Sequence, residues 1–388
     1  MIIVIADDFT GAAELGGIGL RYNLSVEVNT HVNLQSKADL LVIATDTRSM
    51  QKQEAEQHME AVTREVAKLN PTFIFKKVDS VLRGYVAEEL LVHIQELNHS
   101  RALLIPANPA LGRTIINGEY LLSSGPLHLS NFSNDPEFPV KTSAVVEHLH
   151  QKGIHVYSQK HHETLQHEGI IVGDAASVDD LRAWADKVNK NMLIAGASGF
   201  FTALLDKLII PDEQAKQKPP RVFKPPVLIV SGTAFSESSN SIAKLKQSGA
   251  PVSYMPPGII ESDTFDEEKY QSWCSEIVSD ITTFGQAIIA IDPLSTGNEL
   301  NQARTLREKT AIIVKMVFEQ IDINELLIEG GSTSSAILKK LGISKIYPVE
   351  ELAAGVIRMS NDEKPQLYIT IKPGSYSWPH SIRQYSLY

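Results

Sequence analysis

The residues best suited to chemistry lie at the very start of this 388-residue chain. Asp7 and Asp8 follow an uninterrupted apolar run from Ile2 to Ala6, and Thr10-Gly11 then leads into a segment of small residues. This pattern predicts a buried strand, a turn and a helix. Ligands of open parallel sheets bind at the carboxyl ends of strands, where helix N–H groups converge. Two adjacent carboxylates at such a position favour a functional site.

A purely structural role is the alternative for this stretch. Asp and Thr before a helix are common N-caps, whose oxygens accept hydrogen bonds from the first turn. One cap needs only one acid, however, and two neighbouring carboxylates repel each other and are costly to bury. We expect Thr10 to be able to cap the helix, which would leave Asp8 available for chemistry.

Two further strand ends carry charged residues. The segment KKVDSVLRG follows an apolar run that begins at Phe73, and ATDTRSM follows the run from Leu40 to Ala44. An arginine fork can hold a carboxylate in two hydrogen bonds, so these ends suit a small hydroxy acid. The alternative is a solvated turn with a weak ion pair. The residues predicted to gather here are Asp46, Arg48, Lys76, Lys77, Asp79, Ser80 and Arg83.

The second half of the chain has three glycine turns after predicted strands. Glycine allows backbone N–H groups to approach an anion closely, and hydroxyls and a helix N-terminus can complete a phosphate site. Simple turns are the alternative, with Lys372 merely exposed. A Walker motif and a GxGxxG fingerprint are both absent from the sequence. The three turns are Ser231-Gly232-Thr233, Gly330-Gly331-Ser332-Thr333 and Lys372-Pro373-Gly374.

Apolar runs alternate with longer amphipathic stretches along the chain, which predicts an α/β protein. At this length two domains are expected, each a mainly parallel sheet flanked by helices. We predict an N-terminal domain over 1–209, a polar, proline-rich linker over 210–226 and a C-terminal domain over 227–388. The predicted helices span 51–69, 85–97, 178–189, 235–248, 266–284, 299–320 and 333–341.

Composition narrows the class of protein. An apolar fraction of 43% and a charged fraction of 21% are ordinary for a folded globular chain, and a net charge of -10 argues against nucleic acid or an anionic membrane as partner. Cys274 is the only cysteine, so neither an internal disulfide nor a cysteine zinc site can form. The irregular histidine spacing between 148 and 167 argues against a metal site. No apolar run approaches the ~20 residues of a membrane span. These features predict a cytoplasmic protein.

Six ordered motifs carry a resemblance to the four-carbon acid sugar kinase family. They are ADDFTG at 6–11, KKVDSVLRG at 76–84, PANPALGRT at 106–114, VSGT at 230–233, EGGSTSSA at 329–336 and LAAGV at 352–356. The resemblance implies an N-terminal domain that binds an acid such as threonate, erythronate or a 3-oxo-tetronate, and a C-terminal domain that binds ATP. It also implies phosphorylation of the terminal hydroxyl, with Mg²⁺ bridging the phosphates.

The resemblance, together with the positions of the side chains at the predicted strand ends, implies roles for individual residues. Asp8 would be the catalytic residue that accepts the hydroxyl proton. The substrate-binding residues would be Asp7, Asp8, Arg48, Lys77, Asp79, Ser80, Arg83 and Gly84. The ATP-binding residues would be Ser231, Gly232, Gly330, Gly331, Ser332, Thr333 and Gly374. No residue is assigned to the metal.

Other functions remain open at this point. An oxidoreductase would need a dinucleotide fingerprint that the chain lacks. A non-catalytic sugar-acid-binding protein would keep the acids and arginines of the first half but would not need the glycine turns of the second. A kinase of a different small hydroxy acid would keep both. The chain could also form a homodimer, and the sequence does not decide this.

Overall fold

The computed structural model describes residues 1–135, 137–150, 153–209, 222–232, 236–262, 264–292, 300–379 and 382. The chain divides into two compact units, residues 1–216 and 217–388. The predicted linker over 210–226 remains a prediction, because residues 210–221 lie outside the described residues.

The first unit is built on a parallel sheet whose central strands are apolar and buried. Its strands are β1 (Ile2–Ala6), β2 (Val26–Asn29), β3 (Leu40–Ala44), β4 (Phe73–Lys77), β5 (Arg101–Ile105), β9 (Val156–Gln159), β10 (Gly169–Gly173) and β11 (Leu193–Gly196). Three short strands, β6 (Arg113–Ile116), β7 (Glu119–Leu122) and β8 (Gly125–Pro126), form a separate antiparallel sheet.

Helices cover this sheet. They are α1 (Phe9–Arg21), α2 (Lys52–Ala67), α3 (Val86–Glu96), α4 (Val145–His148), α5 (Val178–Asp186) and α6 (Ser198–Leu208), with 3-10 turns at Thr47–Ser49, Pro109–Leu111, Leu127–Leu129 and Asn131–Asn134. Ile3 and Ile5 of β1 pack with Met59 and Val66 of α2 in one buried cluster. This apolar packing fixes β1 at the centre of the unit.

Strand order places β1 at a switch point of the first sheet. The order is β2-β3-β1-β4-β11-β5-β10-β9, and β1 pairs in parallel with β3 on one side and β4 on the other. The strands that follow β1 are therefore added on both sides of it, first β2 and β3 on one side and then β4 on the other. Such a reversal opens a crevice at the carboxyl end of the strand. The polar residues after β1, β3 and β4 all lie at this edge.

The second unit has the same design with an antiparallel extension. Its strands are β12 (Val227–Ser231), β13 (Val252–Tyr254), β14 (Gln286–Ala290), β15 (Glu325–Glu329), β16 (Lys345–Ala353), β17 (Val356–Asn361) and β18 (Tyr368–Lys372). Its helices are α7 (Ser236–Gln247), α8 (Pro257–Ile260), α9 (Glu267–Phe284), α10 (Leu300–Gln320) and α11 (Gly331–Leu341). The order β13-β14-β12-β15-β18-β17-β16 makes β12 the switch point.

The α/β prediction is confirmed, and every helix predicted from periodicity is present with small shifts at its ends. The sequence reading missed β2, β9, the β6–β8 sheet and the β16–β17 hairpin. Charged residues and a proline interrupt the apolar pattern of β16, which conceals a strand paired on only part of its length. No helix within the described ranges is long and apolar enough to cross a membrane.

Candidate active site

Asp8 is the N-cap of α1. Its backbone is extended, and its Oδ1 accepts a hydrogen bond from the N–H of Gly11 at 2.9 Å. The hydroxyl of Thr10 donates to Oδ2 of the same carboxylate. The expectation that Thr10 would cap the helix and leave Asp8 free is therefore wrong, because Thr10 is a donor to Asp8 rather than a substitute for it.

Arg48 joins the three strand ends of the first unit. It lies in the 3-10 turn after β3, and its N–H donates to the carbonyl of Asp7 at 3.4 Å. Its Nη1 donates to Oδ1 of Asp79 at 2.8 Å, and its Nη2 forms an ion pair with Asp8. Its Nε is 3.8 Å from Oδ2 of Asp7. One guanidinium thus faces three buried carboxylates.

Arg83 is also occupied by protein carboxylates. Its Nε and Nη2 donate to the two oxygens of Asp79 at 3.0 and 2.8 Å, and its Nη1 donates to Asp135 at 2.8 Å. Asp79 in turn accepts from the backbone N–H of Val81 at 3.1 Å. Burial acts to raise the pKa of Asp79, but Arg83 and Arg48 hold it well below its usual range. The structure therefore places the Arg83 fork on Asp79 and the Arg48 guanidinium between Asp79 and Asp8, instead of presenting them open to a ligand.

The two lysines of β4 point to opposite faces, as strand alternation requires. Lys77 lies on the site face, where its Nζ donates to the carbonyl of Val78 at 2.8 Å and lies 4.0 Å from Glu14. Lys76 lies on the other face and pairs with buried Glu89. The prediction that Lys76 joins the cluster is wrong for this reason.

Ser80 and Gly84 complete the predicted substrate side. Gly84 has a φ of +92°, and a Cβ placed there would lie 3.6 Å from Oδ2 of Asp7 and 3.5 Å from the Arg48 side chain. The positive φ favours glycine, and the missing side chain leaves the approach to Asp7 open. Ser80 accepts a hydrogen bond from Arg113 through its hydroxyl and from Tyr120 through its carbonyl.

Arg113, Tyr120 and Asp135 are site residues that the sequence reading did not single out. All three come from the irregular segment after β5, which contacts the loop from Asp79 to Gly84. The motif PANPALGRT contained Arg113, so a signal was present. Its position depends on the small β6–β8 sheet, which sequence periodicity did not reveal.

The two acids after β1 differ sharply in their surroundings. Burial raises the pKa of Asp7 to about 6, and the nearby charge of Asp8 adds to that, while Arg48, Lys76 and Lys77 oppose it. Burial acts in the same direction on Asp8, but Arg48, Lys77, Thr10 and Gly11 together lower its pKa. Oδ1 of Asp7 is buried and has no hydrogen-bond partner among the described residues.

The second unit gathers its predicted residues around Glu329, the last residue of β15. Its Oε2 accepts from the hydroxyl of Ser231 at 3.1 Å, and its Oε1 accepts from Nζ of Lys372 at 2.6 Å and from the hydroxyl of Ser238. The side chain of Lys372 is only 1% exposed, so the alternative that it is merely an exposed residue is wrong. Three adjacent strand ends, from β12, β15 and β18, meet at this carboxylate.

Glycines line the same edge. The N–H of Gly232 donates to the carbonyl of Glu329 at 3.1 Å, and a Cβ on Gly232 would lie 2.0 Å from Oγ1 of Thr333. Gly330, with a φ of +105°, is the N-cap of α11, whose first turn contains Gly331, Ser332 and Thr333. The predicted turns therefore do come together at the N-terminus of a helix, a favourable place for phosphate.

Lys372 also fixes the loop that contains Gly374. Besides Glu329, its Nζ donates to the carbonyl of Pro373 at 3.0 Å and to that of Tyr376. The ammonium has three protons, and these three acceptors match them. Lys372 thus holds the loop from Pro373 to Tyr376 against the end of β18.

Comparison with known proteins follows the division into two units. Residues 2–204 match the model of a sugar-binding N-terminal domain, and residues 228–376 match that of a nucleotide-binding C-terminal domain. The chain belongs to this two-domain family. Together with the threonate and 3-oxo-tetronate kinases among its relatives, these matches confirm the resemblance to four-carbon acid sugar kinases seen in the sequence motifs.

Relatives and solved structures cover almost the whole chain. A D-threonate kinase of Salmonella typhimurium is 26% identical over 97% of this chain and 95% of its own length, and a 3-oxo-tetronate kinase of Haemophilus influenzae is 24% identical over 97% of both. The crystal structure of a Haemophilus influenzae protein aligns with a TM-score of 0.70 at 21% identity, covering 98% of each chain. That of a Salmonella typhimurium protein aligns with a TM-score of 0.78 at 18% identity, covering 99% of this chain and 98% of the other. These two structures show that the chain shares their fold over almost its whole length.

Proposed function

We propose that this protein is an ATP-dependent kinase that phosphorylates the terminal hydroxyl of a four-carbon sugar acid of the threonate, erythronate or 3-oxo-tetronate type. The observation that carries the proposal is that each unit places its polar cluster at the switch point of its own sheet. Open α/β sheets bind ligands at this position. The matched domains, sugar-binding in the first unit and nucleotide-binding in the second, support the proposal that the sugar acid binds at the first cluster and the nucleotide at the second.

The first cluster suits a hydroxy acid, with roles that differ from those expected for the arginines. Arg48 and Arg83 are occupied by Asp8, Asp79 and Asp135, so they position acids rather than take the substrate carboxylate directly. Arg113 is half-buried, reaches the hydroxyl of Ser80 and has no carboxylate partner within the described part of the chain. We therefore assign the substrate carboxylate to Arg113. Asp7, Ser80 and Lys77 remain to contact hydroxyls, and Gly84 leaves room for them.

The second cluster suits the phosphates of ATP. The first turn of α11 offers backbone N–H groups, and the turns at Gly232 and Gly374 allow close approach. Glu329 is neutralised by Lys372 and by two serine hydroxyls, so it does not repel an anion as an unpaired carboxylate would. This arrangement agrees with the nucleotide-binding description of the matched domain.

Mg²⁺ would accompany ATP. The described residues contain no group of three or more His, Cys, Asp or Glu side chains that could hold a metal ion by themselves. Mg²⁺ commonly keeps its waters and binds substrate phosphates with only one or two carboxylates. We therefore propose that the nucleotide phosphates provide most of its ligands, where it would neutralise the charge that develops in phosphoryl transfer.

A screen for ADP release tests the proposed function. The purified chain would be supplied with ATP, Mg²⁺ and each four-carbon sugar acid in turn, with simple hydroxy acids and neutral four-carbon sugars as controls. We expect ADP release with at least one four-carbon acid and little with a neutral sugar, because Arg113 requires a carboxylate. Turnover only with the simple hydroxy acids would contradict the assigned substrate class, and none with any acceptor would contradict the kinase assignment.

A further inference from the structure

We propose that Asp7, and not Asp8, is the catalytic residue that takes the proton from the acceptor hydroxyl. The proposal deepens the function proposed above and rests on it. Three buried carboxylates at the strand ends are candidates: Asp7, Asp8 and Asp79. The three carboxylates differ in their hydrogen-bond partners, and this difference identifies the base.

A general base needs an oxygen with free acceptor capacity. Oδ1 of Asp8 accepts a hydrogen bond from the N-terminus of α1, and its Oδ2 contacts Thr10 and Arg48. Asp79 accepts two side-chain hydrogen bonds from Arg83, one from Arg48 and two more from backbone N–H groups. Both carboxylates already have the partners that an ionised carboxylate seeks.

Asp7 has the free hydrogen-bond acceptor capacity that Asp8 and Asp79 lack. Its Oδ1 is buried without a hydrogen-bond partner among the described residues, and its Oδ2 is 3.8 Å from the nearest guanidinium nitrogen, beyond hydrogen-bond distance. An unsatisfied buried carboxylate oxygen is costly in free energy. The space left by Gly84 lies beside Oδ2, because a Cβ at Gly84 would be 3.6 Å from that oxygen. An acceptor alcohol that approaches there can donate its hydroxyl to Oδ2, which is the contact required between the alcohol and its base.

Proton affinity points to the same residue. A base works best when its pKa lies near the working pH, and burial raises the pKa of Asp7 to about 6. The charged groups that act on Asp7 are Arg48 from the turn after β3, Asp8 from its own segment, and Lys76 and Lys77 from β4. Arg48 is the main group that lowers the pKa of Asp8, and Arg83 together with Arg48 holds the pKa of Asp79 well below its usual range, which makes these two carboxylates weak bases.

The chemical step then balances as follows. The acceptor hydroxyl oxygen forms a bond to the γ-phosphorus of ATP, and the bond from that phosphorus to the β–γ bridging oxygen breaks. ADP leaves with the electron pair of that bond. The hydroxyl proton passes to Oδ2 of Asp7, from which it returns to water after the product leaves.

Matched variants of the two neighbouring acids test the assignment. Asp7→Asn keeps the shape and can still contact the hydroxyl but cannot accept a proton, so we expect kcat to fall by ~10²–10⁴-fold with little change in acid affinity. Asp8→Asn retains an N-cap but weakens the hold on Arg48, so we expect its main effect on KM. In wild type, kcat/KM should fall below about pH 6, and this acid limb should disappear in Asp7→Asn but persist in Asp8→Asn.

Chemical rescue of turnover is a further test, because a residue with a purely structural role would not show it. Formate should restore part of the turnover of Asp7→Ala by acting as a replacement base, and should not restore Asp8→Ala. Calorimetric binding of the acid would show that each variant is folded.

The outcomes separate the two proposals. Full turnover in Asp7→Asn, or loss of the acid limb only in Asp8→Asn, would overturn the assignment of Asp7 while leaving the kinase function in place. Failure of wild type to release ADP with any acid would overturn the proposed function and the base assignment together.

Discussion

Nη1 of Arg48 lies 2.8 Å from Oδ1 of Asp79, although the two residues follow strands on opposite sides of β1. The arginine crosses the end of the central strand and joins three carboxylates into one buried network. Such a network is stable only if its charges are nearly balanced and its hydrogen bonds are satisfied. Asp7 is the carboxylate of this network that has a buried oxygen without a hydrogen-bond partner among the described residues.

The ionised carboxylate of Asp7 should destabilise the folded protein. Its pKa is about 6 when folded against a usual value of 3.8, so the folded state binds the proton more tightly and stability is lost as pH rises through 6. The shift corresponds to about 3 kcal/mol at most. We expect Asp7→Asn to unfold at higher denaturant than wild type at about pH 8, with a much smaller difference at about pH 4.

Chemical denaturation at the two pH values measures this effect. Asp186→Asn is the control, because that side chain is 74% exposed at the end of α5. An Asp7→Asn variant whose stability gain is equal at both pH values would show that Asp7 does not titrate in this range.

Arg113 should govern affinity for the acid substrate. Arg113→Lys keeps the charge but loses the planar fork, so we expect KM for the acid to rise about 10- to 100-fold with kcat less affected. Steady-state kinetics measures this, with Arg182→Lys as a control on an exposed arginine whose ion-pair partner is Asp179. An unchanged KM would remove Arg113 from the substrate site.

Arg83→Lys provides the contrast. The side chain of Arg83 makes two hydrogen bonds to Asp79 and one to Asp135, so its replacement should lower the free energy of unfolding as well as activity. Loss of acid affinity in a variant of unchanged stability would instead indicate that Arg83 contacts the substrate carboxylate itself.

Gly232→Ala should impair nucleotide binding. A Cβ at this position would lie 2.0 Å from Oγ1 and 2.6 Å from Cβ of Thr333, so the first turn of α11 would have to move. We expect ATP affinity measured by calorimetry to fall more than about tenfold, since a displacement of that turn disturbs the phosphate site. Gly258→Ala, where a Cβ meets only ordinary contacts with Lys269, is the matched control. Equal ATP affinity in a folded Gly232→Ala protein would show that the phosphates bind elsewhere.

The Lys372–Glu329 pair should be essential to the stability of the second unit. Both side chains are almost fully buried, so Lys372→Met leaves Glu329 charged without its cation and should cost about 3–5 kcal/mol. Glu329→Gln in the same chain should recover much of this loss, because the amide removes the buried charge. Denaturant unfolding measures both variants. A double variant no more stable than Lys372→Met would mean that the loop contacts of Lys372 matter more than the ion pair.

Much of this molecule was determined by its sequence. Short apolar runs bounded by polar residues, such as Ile2 to Ala6, are typical of buried strands, and the alternation of such runs with amphipathic stretches is typical of parallel sheets. Side chains that directly follow those strands must lie at one edge of the sheet. The sequence alone therefore predicts that Asp7, Arg48 and Asp79 lie near each other and that Gly232 lies near Gly330.

Only the tertiary structure decided which of these residues pair. By sequence, Thr10 or Asp8 could cap α1, and only the structure shows that Asp8 is the cap. Arg113 reaches Ser80 across a separation of 33 residues because a small sheet with weak periodicity folds back over the loop. The unpartnered oxygen of Asp7 is likewise invisible in the sequence, since it results from how neighbouring strands share one guanidinium. Local patterns fix the elements, whereas the distribution of a limited number of donors among buried acids is a property of the packed fold.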